Sequence, residues 1–330
     1  MLDKFERIKL GHFPTPVERL KNISKHLDGP NIFIKRDDCT GLATGGNKTR
    51  KLEFLIPDAI KNKAELIVTV GAIQSNHARQ TAAACALMGL KCLIILEQRV
   101  KNPPDVYMNS GNIFLDKLFG ADIKICPLNK DVTDYTSKIL KDLKSKGTNV
   151  YFIPGGGSNS IGALGYVECL NEIIIQNEKY NFTHIIHATG SSGTQSGLLA
   201  GRKYFNCNIP VIGISVMNDK STQENKVFKE AINTCKILQC ENLDKSEVLV
   251  YDDYVGPGYG VPSDGTIEAL KLVAKKEAIL LDPVYSAKAF AGLIDLAKKK
   301  KFKDSDNVLF IHTGGSSSLS AYEWAFKNKN

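Results

Sequence analysis

Four short segments combine glycines with amine, amide or hydroxyl side chains, and each opens a helical pattern or directly follows an apolar run. The first is Gly41-Leu42-Ala43-Thr44-Gly45-Gly46-Asn47-Lys48-Thr49. Asn47 separates its lysine from the last glycine, so the spacing of the G-x-x-x-x-G-K-[ST] nucleotide loop fails. A lysine at a helix start beside paired glycines suits another task. It can form an imine with a carbonyl cofactor when its surroundings lower its pKa, while the glycines let that cofactor approach the backbone. Taken alone, the segment would equally be a turn carrying a surface lysine.

The second segment, Gly71-Ala72-Ile73-Gln74-Ser75-Asn76-His77, follows the run Leu66-Ile67-Val68-Thr69-Val70 and opens an alanine-rich helical pattern. A helix N-terminus offers free N–H groups and a partial positive charge, so it can hold a carboxylate, with Ser75 and Asn76 adding donors. Either residue would also serve as an ordinary cap. Gln74, Ser75 and Asn76 together exceed what a cap needs, whereas His77 would equally be a packed ring. The third segment, Gly190-Ser191-Ser192-Gly193-Thr194-Gln195-Ser196-Gly197, departs from G-x-G-x-x-G in spacing. Its hydroxyls and small residues suit a phosphate monoester held by backbone N–H groups and Ser/Thr oxygens. The fourth, His312-Thr313-Gly314-Gly315-Ser316-Ser317-Ser318, sets a hydroxyl at a strand end, where it can bond a ring nitrogen beside glycines that leave room for a flat ring. A plain strand-to-helix turn would use the same residues. Tyr259, between Gly258 and Gly260, and Tyr285, after Asp282-Pro283-Val284, are either site groups or core rings with satisfied hydroxyls.

Such segments need a frame that brings strand ends together. Short apolar runs alternating with helical patterns predict strands near 32–36, 65–70, 92–96, 122–126, 150–153, 183–188, 210–215, 247–251 and 307–311. Helices are expected over 48–62, 76–88, 112–118, 160–175, 194–205, 266–276 and 287–300. The fold class is therefore doubly wound α/β, which places ligands at the carboxyl ends of its strands. At 330 residues the chain is long enough for two associated domains. Glycine punctuation at 45–46 and 155–157 suggests a smaller unit inserted into a larger one.

Composition excludes several classes. The net charge of +8 comes from stretches such as Lys298-Lys299-Lys300-Lys301, a solvated helix face without the interleaved aromatics of a nucleic-acid platform. Eight cysteines lack C-x-x-C spacing and are expected as reduced, mostly buried thiols. No histidine pattern suggests a metal site. The first six residues have no apolar leader and no window approaches the roughly 18 apolar residues of a membrane span, so the cytoplasm is the expected compartment.

Taken in order, the segments resemble the fold-type II enzymes that use pyridoxal 5'-phosphate (PLP), in the branch that contains D-cysteine desulfhydrase, L-cysteate sulfo-lyase and 1-aminocyclopropane-1-carboxylate (ACC) deaminase. The resemblance runs from Pro14-Thr15-Pro16 to Tyr322 and rests on Lys35-Arg36-Asp37-Asp38, Gly45-Gly46-Asn47-Lys48, Gln74-Ser75-Asn76-His77 and His312-Thr313-Gly314-Gly315. It implies two doubly wound domains, a large one of 1–47 plus 156–330 and a small one of 48–155, with the cofactor between them. It also implies that Lys48 is the Schiff-base lysine, that Asn76 faces the cofactor's phenolic oxygen, and that Ser191, Ser192, Gly193 and Thr194 hold its phosphate. Thr313 would face the pyridine nitrogen, and Tyr285 and Tyr259 would be active-site tyrosines, Tyr285 also against the ring. Gln74, Ser75, Asn76, His77, Ser286 and Ser316 would contact a small amino-acid substrate. A homodimer follows from the resemblance alone.

One departure separates the branches. ACC deaminases carry a glutamate after the tyrosine matching Tyr285 and a leucine after the last glycine of the H-T-G-G segment, where this chain has Ser286 and Ser316. A hydroxyl cannot hold a full proton charge on the pyridine nitrogen as a carboxylate does, which favours elimination of a good β-leaving group over opening of a cyclopropane. The expected activity is a carbon–sulfur lyase giving pyruvate and ammonia, with a slight lean to L-cysteate (sulfite) over D-cysteine (sulfide). Ser286 and Ser316, with Ser317 or Thr44, would be the donors to a sulfonate. ACC deaminase, a PLP racemase or serine dehydratase, and a PLP-binding protein without lyase activity are the alternatives.

Overall fold

The computed structural model describes residues 2–241 and 243–326. Among the described residues ten strands form two sheets. The six-stranded sheet has the order β1 (Val17–Arg19), β2 (Asn31–Lys35), β10 (Asn307–Ile311), β7 (His184–Thr189), β8 (Val211–Ser215) and β9 (Leu249–Tyr251). β1 is antiparallel to β2, and every other pairing in this sheet is parallel. The four-stranded sheet is wholly parallel, in the order β5 (Asp122–Ile125), β4 (Lys91–Glu97), β3 (Leu66–Ala72) and β6 (Val150–Ile153). Strands buried on both faces read as continuous apolar runs. Val308 to Ile311 of β10 are fully buried for that reason, and all nine expected strands are present.

The expected helices are α2 (Lys48–Lys61), α3 (Asn76–Met88), α5 (Gly111–Leu118), α7 (Ser160–Tyr180), α8 (Gly193–Tyr204), α10 (Asp264–Glu277) and α11 (Ser286–Lys298). The strand β1 and the helices α1 (Lys21–Leu27), α4 (Asp105–Asn109), α6 (Val132–Ser145) and α9 (Lys220–Leu238) fall outside the sequence expectation. Among the described residues no helix is long and apolar enough to cross a membrane. Five of the eight free cysteines are buried, as expected of reduced thiols.

The start of α2 is fixed from both sides. Arg50, in its first turn and fully buried, donates to both carboxylate oxygens of Asp37 at 2.8 Å and to those of Glu172 at 2.8 and 2.9 Å. Lys35 adds a bridge to Glu172 at 3.0 Å. Burial alone would raise the Asp37 pKa, but Arg50 outweighs it and holds the carboxyl down to about 2. On the α7 side, a Cβ on Gly165 would lie 2.4 Å from the Arg50 backbone, so only glycine lets α7 pack this close.

Candidate active site

The strand ends β3, β7 and β10 and the helix starts α2, α3 and α8 converge on one cavity, lined by Lys48, Asn76, His77, Ser191, Thr194, Tyr285 and Thr313 among others. The glycine loop ahead of Lys48 is held on all sides. Thr40 Oγ1 accepts from Gly46 N–H and donates to Gly46 C=O, and Asn47 N–H donates to Thr313 C=O at 3.1 Å, joining α2 to the end of β10. Gly314, at φ +86°, approaches Gly46 so closely that a Cβ would lie 2.8 Å from the Gly46 Cα.

Lys48 lines the cavity, is half-buried, and has no hydrogen-bond partner among the described residues. Loss of hydration lowers its pKa to about 8, against the opposing pull of Asp282. Lys51, one turn further on, is fully buried and donates to Gly156 C=O at 3.0 Å. Burial, then the neighbouring Lys48 charge, push its pKa well below the usual lysine value. No sequence signal beyond its spacing from Lys48 marks it.

Asn76 has its amide orientation set. Its Oδ1 accepts from Asn112 Nδ2 at 2.8 Å, which turns Nδ2, a donor, to the cavity. At the start of α8, Ser158 donates to Ser191 Oγ at 2.9 Å and Asn47 Nδ2 donates to Thr194 Oγ1 at 3.0 Å. Both cavity hydroxyls therefore keep a proton to give. The Thr194 and Gln195 N–H groups lie in the first helical turn, where no intrahelical carbonyl is available to them. The Thr313 hydroxyl faces the cavity without a bond to any other described residue.

A second chamber shares Lys48, His77, Ser191 and Tyr285 with the first and adds Ser75, Arg99, Met217, Lys226 and Tyr259. Ser75 caps α3 by accepting from Ala78 N–H at 3.1 Å. The hydroxyls of Tyr259 and Tyr285 meet, their rings edge to face at 5.8 Å. Burial raises both tyrosine pKa values, so both stay protonated. Lys288, on α11 one turn beyond Tyr285, is fully buried and donates to Val255 C=O at 2.6 Å and Gly258 C=O at 2.8 Å, which fixes the loop that carries Tyr259. Arg79, also buried, ties Thr44 Oγ1, Gly45 C=O and Ser317 Oγ together beside the glycine loop.

Residues 8–314 match the family described as pyridoxal-phosphate dependent enzyme. The chain belongs to that family. It is similar to a solved ACC deaminase homologue at 36% identity, over 98% of this chain and 96% of that one, with a TM-score of 0.89. A hydrogen sulfide-producing enzyme (Fn1220) from Fusobacterium nucleatum shares the fold at 17% identity, over 93% and 96% of the two chains, with a TM-score of 0.69. An O-ureido-L-serine synthase does so at 15% identity, over 98% and 94%, with a TM-score of 0.70. The protein is thus a PLP-dependent enzyme of fold-type II.

Several expected contacts of this PLP enzyme are placed elsewhere. The Gln74 amide is consumed inside the protein: Nε2 donates to Tyr107 C=O and Ser110 C=O, and Oε1 accepts from Asn112 N–H, so it braces α4 and α5 instead of meeting substrate. Ser286 is fully buried, donates to Asp282 Oδ1 at 2.6 Å and accepts from Asp282 N–H, outside both chambers. Ser316 is half-buried and lines neither chamber, while Thr44 and Ser317 bond each other and Arg79. Gly193 N–H is bonded to Ser158 Oγ at 3.0 Å, while its neighbours Ser192 and Thr194 line the cavity. His77 lines both chambers with its Nε2 bonded inside the protein. Thr69 donates to Ile153 C=O, so His77 Nε2 must be the donor to Thr69 Oγ1, and burial keeps the ring neutral. Arg99 and Lys226 belong to no motif and were not expected.

Proposed function

We propose that the chain is a carbon–sulfur lyase that eliminates a sulfur group from Cβ of a cysteine-like amino acid, leaving pyruvate and ammonium. The cavity fits PLP: an amine of lowered pKa, an inward amide donor, a helix start with two hydroxyls, and a lone hydroxyl at the end of β10 surround it. Lys48 would bind the aldehyde, Asn76 Nδ2 would face the phenolic oxygen, Ser191, Thr194 and the α8 amides with Lys51 would hold the phosphate, and Thr313 would face the ring nitrogen. Bound there, PLP supplies an electron sink for the substrate's Cα.

The observation that carries the lyase reading is the state of Asp282. Both of its oxygens are occupied, Oδ2 by the N–H groups of Val284 and Tyr285 and Oδ1 by Ser286 N–H and Oγ. No free carboxylate then serves the ring nitrogen, only the Thr313 hydroxyl, which suits loss of a good leaving group. In this reading Lys48 Nζ takes the Cα proton, since the amine stands beside that carbon. Ser75 and the first turn of α3 hold the substrate carboxylate. The paired Tyr259 and Tyr285 hydroxyls use one proton between them and leave the other for the departing sulfur. The Cα–H and Cβ–S bonds break, and water completes the conversion to pyruvate and ammonium.

ACC deaminase is the second reading, favoured by the 36% identity to a protein described as an ACC deaminase homologue. Assays of holoenzyme for pyruvate, sulfide and sulfite from L-cysteate, D-cysteine and L-cysteine, and for 2-oxobutyrate from ACC, separate the two. Higher kcat/KM for ACC than for every sulfur amino acid would replace the lyase reading. A homodimer in the cytoplasm belongs to the same proposal, its assembly checked by light scattering and its compartment by cell fractionation.

A further inference from the structure

The donors first expected for a sulfonate, Ser286 and Ser316, line neither chamber. Besides Lys48, two exposed cations line the outer one, and they reach it from different sheets. Arg99 follows β4 of the four-stranded sheet, and Lys226 stands on α9 beside the six-stranded one. The Arg99 guanidinium lies 4.9 Å over the Tyr259 ring, and its Nε donates to Glu97 Oε2 at 2.5 Å. Among the described residues neither terminal nitrogen of Arg99 has a hydrogen-bond partner. Lys226 Nζ makes one long bond, 3.3 Å to Gly190 C=O.

We propose that Arg99 and Lys226 form a recognition subsite for an oxyanion carried on the substrate's Cβ, so that the enzyme selects three-carbon amino acids with a sulfonate or a like-charged group there. The proposal rests on the lyase reading and names its substrate class. Among the described residues Glu97 is the one carboxylate paired with either cation. Partial burial, then the Arg99 charge, lower the Lys226 pKa. An oxyanion between them would accept from the free Arg99 nitrogens and from Lys226, and a sulfonate has the three acceptors that such donors need. The other anionic groups have their own donors in this reading: the α-carboxylate has Ser75 and the α3 start, and the cofactor phosphate has the α8 start with Lys51. The chamber wall that Arg99 and Lys226 share with Tyr259 and Tyr285 sets the subsite where the Cβ substituent departs.

The test uses holoenzyme with Arg99→Gln, Lys226→Gln and both together. Pyruvate is measured from L-cysteate and from β-chloroalanine, which has the same amino and carboxylate groups but a neutral halogen on Cβ. Each single substitution is expected to lower the ratio of kcat/KM for L-cysteate to that for β-chloroalanine by about tenfold, chiefly through KM, and the pair by more. Lys226→Arg should restore the ratio. Arg99 also stacks on Tyr259, so Lys226→Gln is the cleaner arm. A ratio unchanged in both single variants overturns the subsite and leaves the lyase reading standing. Calorimetric titration with unreactive 3-sulfopropanoate is independent of turnover. If the wild type makes pyruvate from neither amino acid, the lyase reading falls. The subsite then stands if 3-sulfopropanoate binds the wild type more tightly than the double variant, and is overturned if it binds both equally or neither.

Discussion

Two faces of the same helix treat their cations in opposite ways. On one side of α2, Arg50 is matched by Asp37 and Glu172 with four bonds between 2.8 and 2.9 Å. On the other, Lys48 and Lys51 have no carboxylate within bonding distance, and both are pushed toward the neutral amine by burial. A buried charge that is fully paired anchors the backbone, whereas one left unpaired is a cost the fold tolerates only where an anionic or electrophilic ligand will meet it. The contrast separates scaffold from site within one turn of helix.

The largest effect should come from Lys48→Ala, which removes the amine altogether. Activity is expected to drop by roughly a thousandfold or more, and the cofactor should no longer be fixed by borohydride. Retention of a reducible PLP adduct would put the covalent link on another lysine. Next comes the paired face: Arg50→Met leaves Asp37 without its bonded cation and Glu172 with Lys35 alone, and should cost about 3–5 kcal/mol in chemical denaturation. Asp37 adds a sign to this. Its folded pKa of about 2 lies below the unfolded value, so its contribution is present at neutral pH and is lost as pH falls through the unfolded value toward 2. Acidification should therefore destabilise the wild type more steeply than Arg50→Met.

Lys51→Met sharpens the comparison further, because stability and binding should move apart. Removing an unpaired buried cation is expected to raise the thermal midpoint of the apoprotein, while PLP dissociates about tenfold more readily for want of a phosphate partner. A fall in both would make Lys51 a structural lysine like Lys35. The smallest effect concerns pH. With Lys48 near 8, the rate at which apoprotein takes up PLP covalently should climb through that value and level off, instead of rising toward the ordinary lysine value near 10.4. Continued increase above it would show the amine to be better hydrated than its surroundings suggest.

Much of this was legible in the sequence because parallel strands buried on both faces leave unbroken apolar runs. The same logic hid what it did not cover. β1 is only Val17-Glu18-Arg19, too short for any period. The buried face of α9 mixes Gln223 and Thr234 with Val227 and Ala231, which blurs its apolar stripe. For α6 the signal was present, since Val132, Tyr135, Ile139 and Leu143 pack on one side. Among site residues, glycine-flanked positions such as Lys48, Asn76 and Thr313 announce themselves by their backbone setting. Gln74 and Ser286 have the right type in the right segment, but a side chain's direction depends on its partners: for the first Asn112, distant in sequence, and for the second the Asp282 carboxylate four residues before it, turned back on its own helix start. Arg99 and Lys226 carried no signal at all, because a lone cation on a loop or helix looks like any solvated charge.

The tether from Lys288 to the loop at 255–258 means that the two tyrosines are not separate parts. Tyr285 immediately precedes α11, Lys288 sits in its first turn, and Tyr259 rides on the loop that Lys288 grips. A graft that moved only the tyrosine-bearing loop into a related enzyme would leave its fastening behind, and a randomised library at 255–260 would sample shapes the amine cannot hold. The transferable module is loop plus the first turn of α11, to be exchanged or diversified as one piece.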